Sequence, residues 1–447
     1  MIRMATLPNA VVILLERIEK AGFEGYAVGG CVRDMLLQKA PHDYDITTSA
    51  TPDEVKAIFS DLRVIETGIQ HGTVTVLLDD EPYEITTYRL ETTYSDSRHP
   101  DAVYFSKTLS DDLCRRDFTV NAMAMGKDGR VVDLYEGEEN LKKGLIRCVG
   151  DPRERFSEDA LRILRALRFA SVLDFEIEDK TLEAAYDLRE NLHKVSAERI
   201  AVELNKLLLG RGVFRVLTKY VDILGAVIPE LLPMKDFDQH NYHHAYDVLT
   251  HTAKAVEAIP PVKHLRLAAL FHDIGKPSTF SIGEDGVGHF YSHASVSRDM
   301  TEEILIRLKY DNKTKDAVIS LVKWHDHVIE ANESVIKRML SRMSDEAFFD
   351  LLHLKRADNL GQHPDYFFRQ KEIDEIEAMA KDILARQECL SLKDLTVKGR
   401  DLIAMGYSVG RRIGEILTAL LNEVLCGNLP NEKGALLYFV QENFKIN

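Results

Sequence analysis

Residues suited to chemistry fall into separate stretches. In His42-Asp43-Tyr44-Asp45-Ile46 two acids stand two positions apart, and along a strand that spacing turns both carboxylates to one side. Paired carboxylates repel unless a cation lies between them, and their oxygens suit Mg²⁺, which completes its shell with waters and substrate phosphates. Upstream, Gly29-Gly30-Cys31-Val32-Arg33-Asp34 places a glycine turn ahead of a helix start. Backbone N–H groups there can approach a triphosphate, and Arg33 adds a fork of donors. Together these features point to nucleotidyl transfer, with one metal activating a hydroxyl and a second steadying pyrophosphate. Taken alone, the acid pair also fits a solvated turn. Glu84 is a candidate third carboxylate, or else an exposed strand residue.

Further along, Leu161, Ile163, Leu164, Leu167 and Phe169 mark a helix over residues 157–170, so Asp159 and Arg162, three apart, are expected to share a face. A carboxylate acceptor beside a guanidinium donor complements an exocyclic amine next to an unprotonated ring nitrogen. Cytosine and adenine share that edge, whereas uracil and guanine reverse it, so such a pair could select CTP and ATP without a template. A surface i, i+3 ion pair is the plainer reading. Arg165 and Arg168 follow at three-residue steps, and with Lys142, Lys143, Arg147, Arg153 and Arg155 they gather positive charge for phosphates.

The elements that must position these groups change character near residue 150. From about 24 to 135 the apolar pattern alternates between helical and strand periods, as in a mixed sheet carrying helices. A strand over 26–29 runs into a helix over 32–37. Thr51-Pro52-Asp53-Glu54 spells an N-cap, an N1 proline and a capping-box glutamate for a helix through Phe59. Residues 73–78 and 83–89 alternate around Asp79-Asp80-Glu81-Pro82, which predicts a hairpin with a four-residue loop. Beyond 150 the period is helical, ending in the stripe Ile413, Ile416, Leu417, Leu420, Leu421, Val424 and Leu425.

With 447 residues the chain should form several domains, which excludes a peptide hormone or a lone binding module. Its net charge of −15 excludes a globally basic nucleic-acid coat, so an RNA partner must meet a local basic surface. Five scattered cysteines (31, 114, 148, 389, 426) without CxxC spacing argue against a disulfide framework or a cysteine zinc site. The run Val11–Leu15 is short and followed by charges, and no stretch reaches the ~18 apolar residues of a membrane span. A cytoplasmic location without membrane contact is expected, and oligomeric state stays open.

Five motifs recur in order: Gly29-Gly30-Cys31-Val32-Arg33-Asp34; Asp43-Tyr44-Asp45; Arg115-Arg116-Asp117-Phe118-Thr119-Val120-Asn121-Ala122; Glu158-Asp159-Ala160-Leu161-Arg162; and Glu198-Arg199-Ile200. Over residues 24 to about 210 they resemble the bacterial class II CCA-adding enzymes and their relatives, the bacterial poly(A) polymerases. The resemblance implies an α+β chain: a nucleotidyltransferase head with a mixed sheet (1–145), then an all-α neck that reads nucleotides and binds RNA (146–228). It implies tRNA, CTP and ATP as partners and Mg²⁺ on Asp43 and Asp45. Arg116, Arg165 and Arg168 would touch the incoming nucleotide, with Asp117 and Asn121 shaping its ribose and phosphate pocket. The polar segment 90–101 resembles the loop that reshapes the pocket from C to A, which favours complete CCA synthesis.

A second resemblance covers His251, His272-Asp273 and Asp358, which follow the order of an HD phosphohydrolase; Leu267-Ala268-Ala269-Leu270-Phe271-His272-Asp273-Ile274-Gly275-Lys276 is similar to that family's signature. It implies a helical domain over 229–365 with a divalent transition metal, His293 and His325 as candidate added ligands, and hydrolysis of a phosphoester. His240, His243 and His244 are read as loop or surface residues. Residues 366–447 resemble the helical tRNA-binding tail of CCA-adding enzymes. The alternatives are a poly(A) polymerase, a phosphohydrolase whose head only grips RNA, and a non-enzymatic RNA chaperone.

Overall fold

The structure, a computed structural model, describes residues 6–91, 103–241 and 245–446. The chain divides into two compact units, Met1–Leu232 and Pro233–Asn447.

The first unit is built on a seven-stranded mixed sheet. Its strands lie in the order Arg63–Ile65, Thr73–Leu78, Glu81–Thr87, Asp45–Thr48, Gly25–Val28, Met123–Met125, Val131–Asp133. Every neighbour is antiparallel except Asp45–Thr48 beside Glu81–Thr87, where Ile46 pairs with Ile85 in parallel. The helix Asn9–Lys20 buries Val11, Leu14, Leu15 and Ile18, the stripe its sequence pattern implies. Thr51 and Glu54 close the expected capping box on the helix Pro52–Ile58.

Three local expectations are corrected. The hairpin turns on two residues rather than four: Glu81 and Pro82 join the strand, and Asp79 and Asp80 both take positive φ, 53° and 64°, as a two-residue type I′ turn requires. The helix expected over 157–170 is broken. Pro152–Glu158 and Leu161–Leu173 flank Asp159, which is extended at φ −140°, ψ 102°. The body beyond residue 150 is not wholly helical: Leu145–Ile146 pairs in parallel with Glu176–Ile177, and Ser281–Ile282 pairs with Gly288–His289.

Leu161–Leu173 is buried on nearly every face and packs on Ala197–Leu208, where Ser171 Oγ donates to Leu207 O at 2.7 Å. A Cβ at Gly210 would stand 2.5 Å from the Ser171 backbone, so this approach admits only glycine.

In the second unit, Val248–Ala258, Lys263–Phe271, His293–Arg307, Asn312–Trp324 and Asp345–Leu360 form a helical core. Towards the C-terminus, Arg411–Leu425 buries Ile416, Leu420, Leu421 and Leu425 against Leu395, Val397, Leu402, Tyr407, Leu436 and Val440, which is the partner its stripe demanded. No helix among the described residues is long and apolar enough to cross a membrane.

Candidate functional site

Strand pairing brings the acids to the glycine turn. Val28 pairs with Asp45, so Gly29, at φ +81°, begins the helix Gly30–Leu36 directly beside the first acid of the neighbouring strand. Asp43 lies just outside that strand, which starts at Asp45, so strand alternation does not place the two acids, although the charge of Asp43 acts on Asp45. Glu84 precedes Ile85, the partner of Ile46, and so neighbours Asp45 across the parallel pair. Part of Asp45 reaches solvent. Even so, its carboxyl is pushed up to about 6, first by the protein displacing water and then by the negative charges of Asp43 and Glu84, against the opposing pull of Arg116. Three carboxylates gathered here fit a divalent cation, because their charge exceeds what Arg116 offsets.

Basic groups surround the turn. Arg33 donates to Asn121 Oδ1 at 2.7 Å and to Asp34 at 2.9 Å. Asn121 Nδ2 donates to Asp117 at 3.1 Å, and Arg165 grips Asp117 with Nε at 2.8 Å. Burial alone would raise Asp117, but Arg165 and the bonds from Asn121 and Phe118 hold it down to about 2. Arg33, Arg165 and Arg168 converge on the Phe169 ring at 5.3, 5.6 and 3.9 Å. Burial and the like charge of Arg165 lower Arg168 to about 10, while Glu203, at 3.2 Å, opposes this.

Asp159 lies outside the helix that begins at Leu161 and is tied to Arg162 through the backbone, Arg162 N donating to Asp159 O at 3.0 Å. Asp159 Oδ1 accepts from Leu161 N at 3.0 Å and its other oxygen from Arg199 at 2.7 Å. Arg162 bonds Glu158 at 2.5 Å and the carbonyls of Arg155 and Arg115, each at 3.1 Å. Lys142, Lys143, Arg147, Arg153 and Arg155, read as a phosphate surface, each pair with an acid: Glu138, Glu139, Glu136, Asp187 and Glu158. The exposed pairs among these are worth about 0–1 kcal/mol, whereas Arg155–Glu158 is half-buried.

The histidine set converges in the second unit. His251 Nε2 lies 3.2 Å from His272 Nε2, 3.2 Å from Asp273 Oδ2 and 3.1 Å from Asp358 Oδ1. His293 Nε2 and His325 Nε2 are 3.1 Å apart and face Asp273 Oδ1 at 3.4 and 3.5 Å. Two candidate ligand sets therefore share the Asp273 carboxylate. The Nδ1 atoms of His272, His293 and His325 sit 2.8, 2.9 and 2.6 Å from the carbonyls of Ala269, Phe290 and Val322. A carbonyl only accepts, so in each neutral ring Nδ1 carries the proton, and His293 Nε2 and His325 Nε2 then turn lone pairs toward one another, an arrangement that suits a cation. Burial would lower His251, His272 and His293, but Asp273 and Asp358 outweigh it for His251 and His272 and Asp273 does so for His293; burial prevails at His325. Lys276 Nζ contacts Asp273 at 2.7 Å. His240 is exposed, as expected. His243, His244 and most of the segment 90–101 lie outside the described residues.

Three family models match: "Poly A polymerase head domain" over 25–147, "Probable RNA and SrmB- binding site of polymerase A" over 174–232, and "tRNA nucleotidyltransferase domain 2 putative" over 284–440. The chain is 37% identical over 436 residues to the CCA-adding enzyme of Levilactobacillus brevis, covering 96% of each. The chain belongs to the CCA-adding enzymes. Against the enzyme of Ligilactobacillus salivarius the identity is 32%, over 95% of this chain and 94% of that one. Among solved structures, Bacillus stearothermophilus CCA-adding enzyme in complex with CTP aligns with a TM-score of 0.73 and 27% identity, covering 97% of this chain and 96% of that one. The fold is that of this family.

Within this family frame, two residues in the site escaped the sequence reading. Asp112 is fully buried beneath Arg115 and Arg116, and Glu203 pairs with Arg168. Asp112 had a signal in its spacing, i, i+3 and i, i+4 to the arginine pair. Glu203 had none, because its partner lies 35 positions away on another helix.

Proposed function

We propose that the head adds CCA to tRNA 3′ ends from CTP and ATP without a nucleic acid template. The observation that carries this reading is the meeting of Asp43, Asp45 and Glu84 beside the Gly29-Gly30 turn. Full-length kinship with CCA-adding enzymes, one of them in complex with CTP, supports the substrates. Asp43 and Asp45 would hold Mg²⁺, with Glu84 as a third acid. When bound, Mg²⁺ supplies charge neutralisation at the α-phosphate and lowers the pKa of the attacking hydroxyl. The chain's own groups do the positioning: the Gly29-Gly30 turn lets backbone approach the phosphates, and Arg33 and Arg116 add donors. Arg165 and Arg168, stiffened by Asp117, Glu203 and Phe169, face the nucleotide.

Asp159 and Arg162 read the base edge. Each is held by a protein partner, Arg199 or Glu158, which a cytosine or adenine edge replaces with matched polarity and a uracil or guanine edge does not. The division into head (1–145), neck (146–228), HD domain (229–365) and tail (366–447) belongs to this proposal. Incubating the protein with tRNA ending before CCA and with a generic RNA, all four nucleotides present, tests it. Addition of CCA to tRNA alone supports the reading; long A tracts on both substrates would favour a poly(A) polymerase.

The second unit supports an accessory reading. Asp273 spans two ligand sets, His251, His272 and Asp358 on one side and His293 and His325 on the other, and nitrogen-rich donors suit divalent transition metals. Such a centre generates a nucleophilic water for phosphoester hydrolysis. Elemental analysis after growth with Mn²⁺, with hydrolysis of a generic phosphodiester, tests it: loss of both in Asp273→Asn supports the site, and a metal-free wild type would remove it.

A further inference from the structure

Asp112 is an unassigned buried charge next to the nucleotidyl-transfer site. It lies in the helix Leu109–Cys114 and is 0% exposed. One carboxylate oxygen takes Arg115 Nε at 3.0 Å and Nη2 at 2.6 Å. The other takes Arg116 Nη2 at 3.0 Å and the hydroxyl of Thr47 at 3.2 Å, on the strand that begins at Asp45. Burial would push the carboxyl up, but Arg116 and Arg115 outweigh it and hold it below its usual range, so it stays an anion.

The disposition of Arg116 explains what that anion does. Among the described residues, Asp112 is its one hydrogen-bond partner, and its buried Nε has none. Its Nη1 lies 3.0 Å from where a Cβ on Gly29 would stand, so the unpaired end of the guanidinium occupies the side-chain space of the glycine turn. Gly29 follows Val28, the strand partner of Asp45, so Arg116 stands beside the acids. An unrestrained guanidinium in that position would collapse onto three carboxylates, filling the cation's place and hiding its own donors.

We propose that Asp112 is a positioning residue that anchors Arg116 by one edge. It keeps the guanidinium off Asp43, Asp45 and Glu84 and presents Nη1 at the Gly29-Gly30 turn to the phosphates of the incoming nucleotide. The inference rests on the reading of the head as a nucleotidyltransferase. Because the phosphates are common to both substrates, Asp112 acts equally on CTP and ATP, unlike the base-reading pair Asp159 and Arg162.

A double-mutant cycle on nucleotide binding to the full chain without tRNA tests this, with CTP and ATP measured separately in Mg²⁺ and in EDTA. Asp112→Asn, nearly identical in shape, should weaken both nucleotides alike by about ten- to a hundredfold, the effect of a lost charged hydrogen bond. Arg116→Ala should do the same, and the double variant should bind no worse than Arg116→Ala. Losses that multiply, or wild-type affinity in Asp112→Asn, would overturn the proposal, since a merely structural acid would not depend on Arg116. Should Asp112→Asn fail to fold, Arg116→Lys carries the test. Lysine keeps the charge but cannot fork between the acid and the turn, so affinity should fall to the Arg116→Ala level, and wild-type affinity would contradict the proposal. Failure of the wild type to bind either nucleotide would instead overturn the nucleotidyltransferase reading beneath it.

Discussion

The acid set of the head and the histidine cluster of the second unit are both built to face cations, yet by opposite means. Asp43 and Asp45 are exposed, offer oxygen alone and stand at the mouth of a glycine turn. His251, His272, His293, His325 and Asp273 are buried and rich in nitrogen, and backbone carbonyls hold the Nδ1 atoms of His272, His293 and His325. An open oxygen site suits a hard ion that arrives and leaves with nucleotide phosphates, whereas a closed imidazole site suits a resident transition metal. On the proposed reading, burial and donor type, rather than the mere gathering of acids, separate an exchangeable cation site from a permanent one.

The sharpest way to break that contrast is to remove the head acids. Asp43→Ala with Asp45→Ala should reduce nucleotide addition to tRNA by about a thousandfold or more, the scale of several kcal/mol of lost charge stabilisation. Metal content of the second unit should stay unchanged by elemental analysis. Conversely, Asp273→Asn should strip metal while leaving the rate of CCA addition within about twofold; loss of addition would mean the two chemistries are not separable.

A milder test uses pH. Asp45 is raised to about 6, so in the metal-free protein it binds a proton below that pH and the proton competes with Mg²⁺. Apparent Mg²⁺ affinity by calorimetry should fall as pH drops through about 6, with proton release on binding near that pH. The same raised value means that in EDTA this group disfavours the fold as pH rises from about 4 to 6, so stability by thermal melting should gain on acidification across that window. Asp43→Asn should shrink both effects by removing one of the charges that raise Asp45.

Much of the fold could be read from local pattern, because amphipathic stripes and caps act within a few residues: the helices Asn9–Lys20, Pro52–Ile58 and Arg411–Leu425 formed where their stripes and capping residues indicated. What escaped depended on backbone conformations that sequence periodicity does not register. Asp79 and Asp80 accept left-handed φ, which shortened the hairpin, and Asp159 is extended between two helices, its side chain accepting from Leu161 N. The histidine set, drawn from helices over a hundred residues apart, was legible because His272-Asp273 stands in a recognisable signature, with His251 and Asp358 in the expected order and His293 and His325 as candidate added ligands. Glu203 had no such signal and Asp112 only its spacing to Arg115 and Arg116, so their roles emerge from burial beneath arginines.

Central to this account is that side chains, not a nucleic acid strand, choose the base. The direct measurement is the sequence of products formed on tRNA lacking CCA, with four nucleotides in equal supply, by the wild type and by Asp159→Ala and Arg162→Ala. The wild type should append C, C and A and stop, while either variant should lose discrimination against U and G by about ten- to a hundredfold, the worth of one matched hydrogen-bonded edge. Unaltered fidelity in both variants would contradict it.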